Sequence, residues 1–237
     1  MNPNGGYFLT RTLDRPDFMS AHLIPDRLIS MSDCICDFVP NLWALQWAEI
    51  DSQDRIDEAS RFGIPPEMVP AIVSWTTAQL EEGTVGFPCL FYRLDDARSF
   101  ASRFVDLPDL RLVGISLHAD LVDAFLEKEK PEDEQGEPGI YTAIARQQAG
   151  ETGGVDLGWE PLCYEFGGFH SWLCNSLEVE VAESLHLQPG PTGFFDSDDD
   201  ALAATTYCGR DEVGAEPGFW APWLVTEYPL MPFVSDS

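Results

Sequence analysis

The chain has 237 residues, 44% of them hydrophobic and 12% aromatic, with 41 acidic side chains against 13 basic ones and a formal net charge of −28 at pH 7. That is the composition of a folded chain, and the length suffices to bury a sizeable core. A field of this sign repels phosphate backbones and anionic lipid surfaces, so it argues against nucleic acid and membrane as partners and favours a cationic partner.

From the N-terminus, "GYFLTRTL" (6–13) alternates apolar and polar side chains and predicts a half-buried strand. "PDFMSAHLIPDRLIS" is broken by Pro16 and Pro25, and "MSDCICDFVPNLWALQW" predicts a packed loop or short strand. "DSQDRIDEASRFG" (51–63) predicts a helix, with a cap at Asp51 or Ser52, acids in its first turn and Gly63 as its stop. A second helix is predicted from Pro65 to Glu82, closing on Gly83, with Val69, Ile72, Val73, Thr76 and Leu80 on one face and a kink at Pro70.

A strand-then-helix pattern follows twice, as "FPCLFYRL" with "DDARSFASRF" and "LRLVGISL" with "HADLVDAFLEKEK". In the first pair Asp95 or Asp96 caps the helix, and Phe100 and Phe104 point inward. In the second the strand is apolar on both faces, which predicts a central position. "PEDEQGEPG" (131–139) reads as a mobile acidic loop and "IYTAIARQQAG" as a short helix. A looser third pair is "LGWEPLCYEF" with "GGFHSWLCNSLEVEVAESL" (167–185), read as a helix with Ser171 as its cap and Leu173, Leu177, Val181 and Leu185 inward. A helix capped within Asp196 to Asp200, a last strand from Trp223 to Tyr228 and a frayed tail complete the chain. The fold class expected is α+β, or α/β, as one acidic domain over 1–237 with a mixed sheet of about five strands and flanking helices.

No run approaches 18 apolar residues, and "MNPNGGYFLTRT" lacks a basic segment followed by an apolar one, so a cytoplasmic protein is expected. Six cysteines at 34, 36, 89, 163, 174 and 208 in a chain of this size are expected as reduced thiols.

The densest chemistry lies between His170 and Glu178. A nucleophile elbow at Ser171 requires small residues two positions either side, where Phe169 and Leu173 stand. A thiol nucleophile at Cys174 with His170 four residues before it is the enzymatic alternative, in which Ser171 is the other candidate nucleophile. For a metal, Cys34 and Cys36 form a C-x-C that His170 and Cys174 would complete as a tetrahedral set. No second pair of zinc-finger spacing accompanies it, and the expectation is no metal and no cofactor. Asp196, Asp198 and Asp200 alternate like the start of a calcium loop, but its glycine and later glutamate are missing. Seven tryptophans, two of them in "GFWAPW", suit a loop-borne interface.

"LGWEPLCYEFGGFHSWLCNSLEVEVAESL", with "GYFLTRT", "IPDRLISMSDCIC" and "GFWAPWLVTEYPL", resembles a family of uncharacterised bacterial cytoplasmic proteins, which implies no activity. In its acidity and mixed pattern the chain is also similar to immunity proteins of polymorphic toxin systems. That resemblance, with the charge, implies a non-enzymatic binding protein of immunity or antitoxin type that sequesters a basic protein such as a toxin domain. Its expected contact residues are Trp159, Glu160, Glu165, His170, Trp172, Asn175 and Glu178.

Overall fold

A computed structural model describes residues 1–36, 38–39, 52–86, 90–131 and 139–231. Most of the acidic loop read at 131–139, the segment around Trp43 and Trp47, Cys89 and the tail beyond 231 lie outside the described residues.

Strands β1 (Asn4–Arg11), β4 (Phe38–Val39), β5 (Val85–Gly86), β6 (Leu90–Phe91), β7 (Leu110–Leu117), β8 (Val155–Glu165), β9 (Gly168–Ser171) and β10 (Phe219–Tyr228) form one sheet in the order β5-β6-β1-β7-β10-β8-β9, with β4 also paired to β1. Two short strands, β2 (Leu13–Asp14) and β3 (Arg27–Leu28), pair separately. Every pairing among the described strands is antiparallel. The architecture is α+β, and the sheet is larger than the five strands expected and is not mixed. The strand-then-helix pattern in the sequence gives split units and no adjacent parallel pair: β6 and β7 both run antiparallel to β1, which lies between them, and β7 and β8 both run antiparallel to β10, which lies between them.

Among the described residues the α-helices are α1 (Ser52–Arg61), α2 (Val69–Glu81), α3 (Leu94–Phe104), α4 (Val122–Lys128), α5 (Ile140–Ala145), α6 (Glu178–Leu185) and α7 (Asp198–Cys208). They cover both faces of the sheet. Tyr7 and Leu9 of β1 and Leu110 and Leu112 of β7 pack with Ala59, Ile72 and Phe100 of α1, α2 and α3. Phe8, Val113 and Ile115, one residue out of phase, pack on the opposite face with Phe125 of α4 and Ile144 of α5. This alternation is the period-two geometry of a strand. Because both faces are covered, β1 is buried from Gly5 to Thr10 and is not half exposed as its pattern predicts. A third cluster joins Trp159, Trp172 and Leu177 to Val181 of α6 and to Ala204 and Tyr207 of α7.

Several local readings change. Pro70 stands at the second position of α2, where its missing N–H is harmless, so it starts the helix and does not kink it. Asp95 and Asp96 lie inside the first turn of α3, whose cap position is Arg93. The cap of α7 is Ser197, whose hydroxyl accepts from Asp200 N at 3.3 Å. The last strand begins at Phe219, so Trp220 and Trp223 are strand residues, and Trp223 is fully buried. The largest change falls on 167–185. Gly168–Ser171 is a strand, the helix begins only at Glu178, and Ser171 caps nothing.

None of the described helices is long and apolar enough to cross a membrane.

Candidate metal centre

The site is built on the β8–β9 hairpin. Antiparallel register pairs Cys163 with His170 and Glu165 with Gly168, leaving Phe166 and Gly167 as a two-residue turn with φ of +49° and +88°. Beyond β9, Cys174 N donates to Ser171 O at 3.0 Å and Leu177 N to Trp172 O at 3.1 Å. These turns fold residues 172–177 back, so that Cys174 stands beside His170 without a helix between them.

A second segment arrives from far away in sequence. Residues 30–36 lie over the hairpin, and Glu160 of β8 anchors them. Its carboxylate is fully buried and accepts from Ser30 Oγ at 2.6 Å and Met31 N at 2.8 Å. Asp33 N then donates to Phe169 O at 3.0 Å, and Asp33 Oδ2 accepts from Phe169 N at 3.4 Å, which docks the segment on the free edge of β9. A side chain at Gly168 would meet that carboxylate and force it to shift, so glycine leaves room for the close approach. Ser32 finishes the placement: its hydroxyl accepts from Cys34 N at 3.2 Å and donates to Cys174 Sγ at 3.6 Å.

The result is a cluster in which Cys34 Sγ lies 3.3 Å from His170 Nδ1, and the donor atoms of Cys34, His170 and Cys174 all lie within 4.8 Å of one another. Tetrahedral zinc with bonds of about 2.0–2.3 Å separates neighbouring sulfur and nitrogen donors by roughly 3.5–3.8 Å, so the three need close by no more than about 1 Å. Glu216, in the loop before β10, places Oε1 3.7 Å from the same Nδ1, and Asn175 Nδ2 donates to its other oxygen. On the far side of the ring, Glu165 Oε2 stands 3.9 Å from His170 Nε2. A carboxylate opposite the liganding nitrogen is the usual support of a metal-bound imidazole.

Burial pushes the Cys174 thiol up to about 12, and the neighbouring Cys34 and Glu216 add to the shift. A half-buried sulfur held this way is a poor nucleophile by itself and a good ligand once a cation displaces its proton. Cys34 is exposed. Cys36 is turned inward, where its sulfur accepts from Ser30 N at 3.1 Å, so the C-x-C supplies one ligand and not two. Burial also raises Cys163 and Cys208 to about 12, as expected of inert core thiols. A groove of about 180 Å³ lined by Thr12, Arg27, Leu28, Arg111, Phe194 and Glu227 shares no residue with the cluster.

Of the seven residues expected at a partner interface, Glu165, His170 and Asn175 converge on the cluster with part of their surface open. The other four are buried: Trp159 and Trp172 pack in the third core cluster, Glu160 is the anchor described above, and Glu178 accepts from Ser20 N at 2.9 Å. Trp159 keeps 8% of its surface exposed and the other three 1% or less. Ser171, the other candidate nucleophile, is fully buried, and its hydroxyl accepts from Leu173 N at 3.1 Å. Cys34 meets His170 and Cys174 as in the tetrahedral set read from the sequence, without Cys36, and Glu216 joins them. The C-x-C gave a signal for Cys34, whereas Glu216 in "GAEPGFW" carries none.

No protein-family model, no curated protein and no solved structure matches the chain.

Proposed function

We propose that the protein binds a thiophilic divalent cation, zinc by preference, through Cys34, His170 and Cys174, with Glu216 beside the fourth position. The observation that carries this reading is the meeting of two sulfurs and an imidazole nitrogen within 4.8 Å, from segments 136 positions apart in the chain. Two thiolates and one imidazole suit a borderline-soft metal and disfavour magnesium or calcium, which take oxygen ligands. The −28 charge supports the same reading, since it concentrates cations at the surface. Elemental analysis of the untagged full chain, purified without chelator, is the test. About one zinc per chain is expected, lost in Cys34→Ser and in His170→Ala, whereas less than about a tenth of an equivalent in the unsubstituted chain after zinc loading and buffer exchange removes the reading.

A second reading, a non-enzymatic binder of a basic partner of immunity type, draws support from one further observation. Phe166 is 91% exposed at the hairpin tip, next to Glu165 and close to the cluster. An aromatic anchor ringed by acids suits a cationic protein surface. Binding to a basic partner that survives Phe166→Ala and Glu165→Gln unchanged at physiological salt would remove this face from that role.

A further inference from the structure

We infer that Cys34 and Cys174 are a redox pair, which a peroxide joins in a disulfide that closes the centre and expels its cation, and which a thiol reductant reopens. The expelled cation rests on the metal reading above. The disulfide rests on the placement of the two sulfurs alone.

Three features of that placement carry the inference. The sulfurs stand within 4.8 Å of each other, and a disulfide needs about 2.05 Å, so the side chains have less than about 3 Å to cover. Cys34 is exposed, on a turn between buried Ser32 and buried Cys36, so an oxidant reaches it first. Cys174 lies half buried beside it, in the place of a resolving thiol. The Ser32 hydroxyl contacts both, through the backbone of one and the sulfur of the other, and holds them face to face. The buried thiols have no such access, because Cys36, Cys163 and Cys208 are enclosed in the core.

The chemistry balances with hydrogen peroxide as oxidant. The Cys34 sulfur attacks one peroxide oxygen, the O–O bond breaks, and Cys34 becomes a sulfenic acid while the other oxygen leaves as water, carrying the thiol proton. In the metal-free chain His170 Nδ1, 3.3 Å from that sulfur, is placed to relay the proton, whereas in the zinc-loaded chain, where both sulfurs are thiolates, solvent supplies the two protons. The Cys174 sulfur, a poor nucleophile while it keeps its proton, gives that proton up as it attacks the Cys34 sulfur; the S–O bond breaks, the S–S bond forms, and a second water leaves with that proton. Two electrons pass from the sulfur pair to the peroxide. The product offers an imidazole and the neighbouring Glu216 carboxylate where two thiolates stood as well, which is too few donors to retain the cation.

The test treats the zinc-loaded and the metal-free full chain with one equivalent of hydrogen peroxide. Released zinc is read with a chromogenic chelator, and linkages are read by mass spectrometry of a non-reducing digest. A Cys34–Cys174 linked peptide in both samples, one zinc released per linkage and reversal by dithiothreitol are expected, and Cys34→Ser should abolish the linkage. Cys34 advancing to sulfinate with Cys174 still free would overturn the inference, as would linkage through other cysteines or zinc that stays bound to the disulfide form. A chain that never takes up zinc removes the metal reading, while the linked peptide in the metal-free sample still decides the disulfide.

Discussion

A carboxylate shut away from both water and cations depends on its donors, and Glu160 illustrates what that costs. Burial raises its pKa to about 7, against the opposing pull of hydrogen bonds from Ser30, Met31 and Ser171. In the unfolded chain the group titrates near the ordinary glutamate value of 4.5. Between those values the folded state holds more protons than the unfolded one, so stability falls as pH rises through the window, by up to about 3 kcal/mol. Glu160→Gln keeps an acceptor and removes the titration. Urea unfolding at pH 4.5 and 7.5 should therefore show a smaller stability loss in the glutamine variant than in the unsubstituted chain. Equal pH dependence in the two would show that the group carries no such shift. In the sequence, Glu160 is one acid among 41, and abundance hides which few are buried. Glu178, read within a helix capped at Ser171 and as a partner contact, was hidden in the same way, since it is buried at the first position of α6.

At the scale of elements, legibility follows periodicity. The strand "LRLVGISL", the inward pair Phe100 and Phe104, and the helices before Gly63 and Gly83 could be read because burial on a regular element leaves a regular pattern. The stretch 167–185 misled because Leu173, Leu177 and Val181 repeat every four residues although only the last belongs to a helix. The first two reach the same core cluster through turns. The hairpin was concealed by its turn residues. Two consecutive positive φ angles favour Asn-Gly, and here the first position holds Phe166. A bulky L-residue in that conformation is strained by about 1 kcal/mol. Phe166→Asn should accordingly raise stability by about that amount in denaturant titration, with zinc stoichiometry unchanged, since the side chain contributes no ligand. A loss of stability would mean that the exposed ring is held by contacts worth more than the strain. The centre itself was only half legible: residue types marked Cys34, His170 and Cys174 as possible ligands, but only tertiary docking through Asp33 and Glu160 brings them together.

For the whole molecule, the excess of acid acts in two opposite directions. Like charges spread over a compact body repel one another more than in the expanded chain, so a net charge of −28 weakens the fold at low ionic strength. The same field draws a divalent cation toward the cluster, where Glu165 and Glu216 flank the imidazole. Added salt screens both effects, with a Debye length falling from roughly 10 Å at 0.1 M to about 3 Å at 1 M. The metal-free chain should therefore melt at a higher temperature as sodium chloride rises from about 0.05 to 0.5 M. Over the same range the affinity for zinc should fall, so the extra stability conferred by a given zinc concentration shrinks as screening grows. Calorimetric melting of the metal-free and zinc-loaded chain across that range separates the two effects. The curves should converge with salt if the general field assists binding, and stay parallel if affinity is set only by the ligands and the carboxylates touching them. Parallel curves would restrict the role of the acidic surface to solubility or to a partner other than a metal ion.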